Sequence, residues 1–357
     1  MKKVLLMAAM LLGTSAAFAQ DAKALNAEFQ ALKGQVDKAQ QAMILGQGDA
    51  NAFYGLVDQL FDKGYEVDKV AEQPDAKGKV NNKFRKGNAE TMHQNRPQLI
   101  NAGVEAFNAD KNEDALKYFG KYCDAAKHPM FAKYNYEATD TMLPMISYYA
   151  CIAAARLENQ EAVLKYADQG IKDAENGASA MELKCAALKA LNRNDEFLAC
   201  LKDGLAKFPN DNYFVGNMID YYTANNQYEE AINYIDSQIA SNPSNHYYYF
   251  VKGYLFQTQK KYEEADAAYK KATELKSDFA QSQSYAGLNL CQAAIAMGED
   301  PNAEEAALKA LYQRALPYYE KARELAPDDK SLWLNGLYTC YYRLGMTDKA
   351  DEIEKLM

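Results

Sequence analysis

The chain is poor in the residues that metal chemistry uses: 3 histidines in 357 residues. His93, His128 and His246 lie far apart, and none has a second His or Cys at ligand spacing on one helix, so no metal site is expected. His246 follows Pro243-Ser244-Asn245 at a helix start, so a capping or surface role is expected for it, and His128 lies beside Pro129 in a turn. No glycine-rich phosphate loop, nucleophile elbow or paired catalytic motif occurs, which leaves enzyme chemistry without a starting point and implies no cofactor. Strand-like alternation is nowhere sustained, and glycine and proline fall between helical patterns. No basic stripe stands out either.

Long apolar runs are also missing, apart from one at the start. Lys2 and Lys3 precede an apolar run over residues 4–12, and Ala17-Phe18-Ala19 fits a small-x-small cleavage site. A run of nine residues is far short of the roughly 20 that a spanning helix needs. Residues 1–19 therefore read as a cleavable signal peptide, leaving Gln20 as the mature N-terminus. No Cys lies near that site, so a lipid anchor is not expected, and a periplasmic or secreted location is. Without the two signal lysines, 38 basic residues face 49 acidic ones, a net charge of −11 (38 − 49). That surface repels phosphate backbones and anionic membranes, so neither is an expected partner.

What the chain has in quantity is helical pattern with a fixed period. Tyr228-Glu229-Glu230-Ala231 returns as Tyr262-Glu263-Glu264-Ala265, a shift of 34 in the numbering. At the same shift Pro209 returns as Pro243, Gly170 as Gly204, and Cys151 as Cys185. A period of this length marks stacked supersecondary units. In the unit at 246–279, Tyr249, Gly253 and Phe256 recur on a first helix, a polar turn spans 257–261, and Tyr262, Ala265, Tyr269 and Ala272 recur on a second. Tyr249 is expected in the core. Each helix has one apolar stripe, to be buried against its hairpin partner and the next unit.

This pattern resembles the tetratricopeptide repeat. That family places a large apolar residue, a small residue and an aromatic on the first helix, then Ala, aromatic and Ala on the second, often followed by Pro. Here those slots hold Tyr249, Gly253, Phe256, Ala265, Tyr269 and Ala272, with Ser277 for Pro. Units at 212–245, 178–211 and 144–177 match progressively less well, and Gly103 with residues 112–119 marks another at 96–129. The spacing from Gly253 to Ala265 is 12 and that from Gly287 to Ala315 is 28, so a segment longer by the difference is inserted, near 297–314. Pro317 is expected to kink or restart the following helix. The resemblance implies an all-α protein, a right-handed α-solenoid of antiparallel helix pairs over 96–357, of an exported bacterial type. Residues 20–95 read as a degenerate helical N-terminal cap, with a polar break over 71–82.

Of the 6 cysteines, Cys151 and Cys185 occupy the same slot of successive units, and equivalent helices lie about 8–10 Å apart, too far for a bridge. Cys185 and Cys200 fall on the two helices of one hairpin, within reach if they face each other. The favoured reading is that most of the cysteines, with Cys123, Cys291 and Cys340, are small buried hydrophobes. The acidic pairs Glu229-Glu230 and Glu263-Glu264 read as first-turn residues favoured by the helix dipole rather than as catalytic carboxylates.

The family's inner helices line a concave groove. Carried over residue by residue, the resemblance places Tyr148, Arg156, Lys189, Tyr213, Asp220, Tyr247, Phe250, Tyr254, Gln257, Gln292, Tyr342 and Arg343 there. Tyrosine, present 27 times, offers apolar area and a hydroxyl at little entropic cost. The expected function is a non-enzymatic scaffold that binds a protein or peptide in this groove. The alternative is a glycan-binding helical module in which tyrosine faces stack on sugars; the single tryptophan, Trp333, counts against it. Self-association through the inserted segment stays open.

Overall fold

The computed structural model describes residues 2–74, 80, 82–209 and 211–357. Among them the regular structure is helical and contains no strand. The chain divides into two compact units, residues 1–209 and 210–357.

In the first unit, α1 (Lys2–Ile44) and α2 (Ala50–Ala71) form a long hairpin, and Asp49 caps α2 by accepting from Ala52 N at 3.1 Å. Phe29 and Val36 of α1 are buried with Phe53, Val57, Leu60 and Phe61 of α2, so the segment read as a cap is helical and shares the core of its neighbours. Half of the polar break expected at 71–82, residues 75–79 and 81, lies outside the described residues. α3 (Arg85–Asn108) is fastened to α2 where Arg85 pairs with Asp68 at 2.7 Å and with Glu72. After α4 (Asn112–Asp124) come 3-10 turns at Ala125–Lys127 and Pro129–Tyr134, and one helical turn, α5 (Tyr136–Thr139). α6 (Leu143–Arg156), α7 (Gln160–Gly170), α8 (Gly177–Ala190) and α9 (Asn194–Lys207) complete the unit. Cys185 of α8 and Cys200 of α9 form a disulfide, with Cα atoms 5.8 Å apart. The facing left open by the sequence is thus the bridging one. Cys123, Cys151, Cys291 and Cys340 are free and buried.

In the second unit follow α10 (Asn212–Ala224), α11 (Tyr228–Ser241), α12 (His246–Thr258), α13 (Tyr262–Leu275), α14 (Ala280–Met297), α15 (Glu305–Leu325), α16 (Leu334–Arg343) and α17 (Thr347–Glu354). α7, α9, α11 and α13 begin at Gln160, Asn194, Tyr228 and Tyr262, a constant step of 34 in the numbering. The turn inside each pair repeats as well. Glu158, Asn192, Asn226 and Lys260 share a left-handed backbone with φ of 53° to 59°. The residue after each closes the helix with a bond to the carbonyl five positions back, as in Lys261 N to Phe256 O at 2.9 Å. This is the Schellman end of an α-helix, and it reverses the chain in a few residues. Glu229, Glu230, Glu263 and Glu264 lie exposed in the first turns of α11 and α13, where the helix dipole favours them.

Two expectations are corrected. Tyr248, 2 % exposed, is the fully buried aromatic of α12, whereas Tyr249 is half-buried. The buried face of α12 runs through Tyr248, Val251 and Leu255, at the helical spacings of three and four, and Tyr249 stands one step round from it. Pro317 does not restart the helix, because the inserted helix and the repeat's second helix fuse into one, α15. Pro317 and Gln313 are both exposed, so the Gln313 carbonyl that loses its i+4 partner faces water.

Candidate functional site

The site grows out of one close approach. Gly253 of α12 lies under the Tyr269 ring of α13, where an added Cβ would stand 2.7 Å from the ring carbon Cδ1. The missing side chain lets the buried Tyr269 reach across the hairpin. Its hydroxyl donates to Gln257 Oε1 at 2.5 Å, and Gln257 Nε2 donates to Gln292 Oε1 of α14 at 3.0 Å. Among the described residues that hydroxyl bonds to Gln257 alone, and burial pushes its pKa well up, so it stays a donor. The direction of the relay follows from that buried end. The Gln292 oxygen accepts, and among the described residues its NH2 group makes no hydrogen bond.

Tyr285, Leu288, Gln292, Ile295 and Glu299 follow one another at spacings of three and four, so they share one face of α14 and its C-terminal turn. With Tyr254, Gln257 and Thr258 of α12, and with Lys260 and Tyr262, they line an open cavity of about 480 Å³. Ile295 is 56 % exposed and Tyr254 38 %, which is unusual for apolar side chains grouped in one concavity. A second cavity of about 330 Å³ adjoins it through Ile295 and Glu299. Glu305, Leu308, Lys309 and Tyr312 of α15 and Arg343 of α16 wall that one, so the insertion supplies one side of it.

Of the residues projected from the sequence, Tyr254, Gln257 and Gln292 meet in the first cavity and Arg343 lines the second. Gln257 is 8 % exposed and acts through Gln292. Tyr342 is 63 % exposed and its ring stacks on Tyr338 at 6.1 Å. Phe250 packs instead between Tyr269, Phe279 and Tyr285, with ring centroids 5.3 to 6.0 Å away. Tyr247 lies 5.9 Å from Phe250, and burial followed by the Asp220 charge raises its pKa. Tyr213 stands edge-on to Phe214 at 5.4 Å.

The other three lie in the first unit. Arg156 sits 4.3 Å over the Phe107 ring and donates to Asn112 at 3.3 Å, Lys189 lies 5.7 Å from the Phe197 ring, and Tyr148 adjoins Tyr149 at 5.6 Å. Sequence reasoning missed Tyr285, Leu288 and Ile295, although their helical spacing with Gln292 was there to be read. Asn245, rather than His246, caps α12 by accepting from Tyr247 N, and His246 packs edge-on to Phe279 at 5.0 Å.

Among the described residues no group of three or more His, Cys, Asp or Glu is placed to hold a metal ion. No helix among them is long and apolar enough to cross a membrane.

Helix pairs at a period of 34, with a small residue on the first helix under an aromatic of the second, decide the fold: Gly103 lies under Phe119, Gly253 under Tyr269, and Gly287 under Tyr319. The chain has an all-α, tetratricopeptide-repeat-like fold. No family model matches the sequence, and no curated protein matches it. Solved structures resemble it at low identity. The C-terminal part of a TPR repeat-containing protein from Cytophaga hutchinsonii is 15 % identical, over 71 % of this chain and 92 % of that one, with a TM-score of 0.45. A tetratricopeptide repeat protein from Parabacteroides merdae is 12 % identical, over 60 % and 79 % of the two chains, with a TM-score of 0.41. YrrB, described as a TPR protein with an unusual peptide-binding site, is 16 % identical, over 57 % and 96 %, with a TM-score of 0.34.

Proposed function

We propose that this protein is an exported, non-enzymatic scaffold that binds an extended polypeptide segment in the groove across α12 and α14. The observation that carries this reading is the Tyr269–Gln257–Gln292 relay, which leaves an unused amide donor on Gln292, a residue that lines the cavity walled by Tyr254, Tyr285, Leu288 and Ile295. Donors that bond a backbone carbonyl, flanked by apolar walls for the side chains on either side, suit an extended peptide. The glycan alternative draws no support from the one tryptophan: Trp333 is 3 % exposed, and its indole N–H donates to Ala326 O at 3.0 Å. Export rests on the N-terminal signal pattern. Cleavage after Ala19 retains Ala22, Phe29 and Val36, all buried in the fold. N-terminal sequencing of the protein from its native envelope fraction is expected to begin at Gln20.

The groove is tested with crosslinked pull-downs by the wild type and by two variants, Tyr254→Ala/Ile295→Ser and Gln292→Leu. Neither alters Phe250, whose packed position makes its loss a test of stability rather than of binding. A protein captured by the wild type is then mapped with overlapping synthetic peptides. The peptide it yields is expected to bind each variant roughly 10- to 100-fold more weakly, a loss of about 1–3 kcal/mol. Equal affinity for all three proteins, with helicity unchanged, sinks the groove assignment.

A further inference from the structure

Two thiols of the second unit lie against each other. Cys291 on α14 and Cys340 on α16 are 49 residues apart in sequence, and their sulfur atoms are 3.8 Å apart. Both are free. They sit among Leu290, Ala294, Tyr319, Leu337 and Tyr341, in the cluster that joins the inserted repeat to the last one. We propose that Cys291 and Cys340 are a redox-active dithiol that closes to an intramolecular disulfide by thiol–disulfide exchange with an external disulfide of the glutathione type.

Closure requires the sulfurs to approach by about 1.8 Å, from 3.8 Å to the bonded distance. The two thiols are not equivalent. The hydrogen bond between the two thiols pulls the Cys291 pKa down, burial opposes it, and a hydrogen bond with Tyr319 adds to the lowering. The thiol–thiol bond, reinforced by burial, pushes Cys340 up. Cys291, 5 % exposed, is also the more open of the two, since Cys340 is fully buried.

Cys291 therefore ionises first and attacks one sulfur of the external disulfide. A mixed disulfide forms and the other half leaves as a thiolate. Cys340 then gives up its proton and attacks the Cys291 sulfur, forming the intramolecular bond and releasing the second half as a thiol. Two electrons pass from the protein to the external disulfide, and two protons leave with them. The bridge would tie α14 to α16 and enclose all of α15, insertion included. The inference is independent of the peptide reading.

The test treats the full chain with oxidised glutathione, quenches it in acid, alkylates remaining thiols and maps tryptic peptides. The expected product is a crosslink between peptides 277–309 and 331–343, with both cysteines protected from alkylation and released by dithiothreitol. The melting temperature should rise on the order of 5 °C on closure in the wild type and not in Cys340→Ala. In Cys340→Ala, Cys291 should stop at a stable mixed disulfide with glutathione; in Cys291→Ala, Cys340 should stay unmodified. The treatment is repeated in urea below the unfolding transition, so that burial alone does not decide the result. Two unlinked, alkylatable cysteines under both conditions, or two separate glutathione adducts, overturn the proposal.

Discussion

Gly253 has no Cβ because Tyr269 fills that space, and the consequence runs from packing to the groove. Gly253→Ala is expected to destabilise the fold by about 1–3 kcal/mol, since the ring must shift within a packed hairpin. Urea denaturation measures it, and a cost near zero contradicts the close approach. The same small-on-aromatic pairing explains why the inserted repeat was legible. The spacing from Gly287 to Tyr319 is twice that from Gly253 to Tyr269, and the excess matches the insertion read from the sequence. The pair survives because the contact is tertiary and ignores the extra chain between its members. The left-handed turn residue was not legible. Its positions hold Glu158, Asn192, Asn226 and Lys260, so the usual glycine signal is absent. A side chain there costs stability that glycine does not. Glu158→Gly is expected to raise stability by about 1 kcal/mol, and an unchanged or lower denaturation midpoint contradicts that.

At the scale of the element, the segment between α4 and α7 departs most from the repeat. These two second helices begin at Asn112 and Gln160, a spacing of 48 where the period is 34. Short 3-10 turns have no apolar period to reveal them, so only the helices on either side were readable. What holds the segment is a knot of aromatics and charge. Arg96 lies between the Tyr122 and Tyr136 rings, 3.5 and 3.9 Å away, and pairs with Asp140 at 2.6 Å. His128 starts the turn by accepting from Met130 N at 3.3 Å through Nδ1, and its ring lies 4.5 Å from Tyr65. Burial lowers the His128 pKa below its usual 6.5; Arg85 adds to this, and Asp68 and Glu72 oppose it. The unfolded chain therefore takes up this proton first as the pH falls. The stability tied to His128 is complete above pH 6.5 and is lost as the pH drops through the folded value. Protonation also removes the Nδ1 acceptor that Met130 uses. His128→Asn keeps an acceptor at the cap and does not titrate. Its melting temperature should fall less than that of the wild type between about pH 7 and pH 5, and parallel curves exclude His128 from the acid response.

In the whole molecule each helix pair is held mainly by the pairs beside it, so stability in a repeat fold is close to a sum of local and nearest-neighbour contributions. Each of the two units has its own core cluster, from Phe29 to Ala187 in the first and from Leu290 to Ile353 in the second. The Cys185–Cys200 bridge belongs to the first. It closes a loop with a sequence separation of 15, a constraint worth about 3 kcal/mol in the chain-entropy account. Replacing both cysteines by alanine should therefore act locally. Amide exchange is expected to speed up in α8 and α9 and in the adjoining α7, by roughly 100-fold for a loss of about 3 kcal/mol. In α14 to α16, which belong to the second unit, protection should stay at the wild-type level. Hydrogen exchange read by mass spectrometry separates these peptides in a single experiment. Equal loss of protection in both regions would mean that the chain unfolds as one cooperative body, and the nearest-neighbour account would fail for this protein.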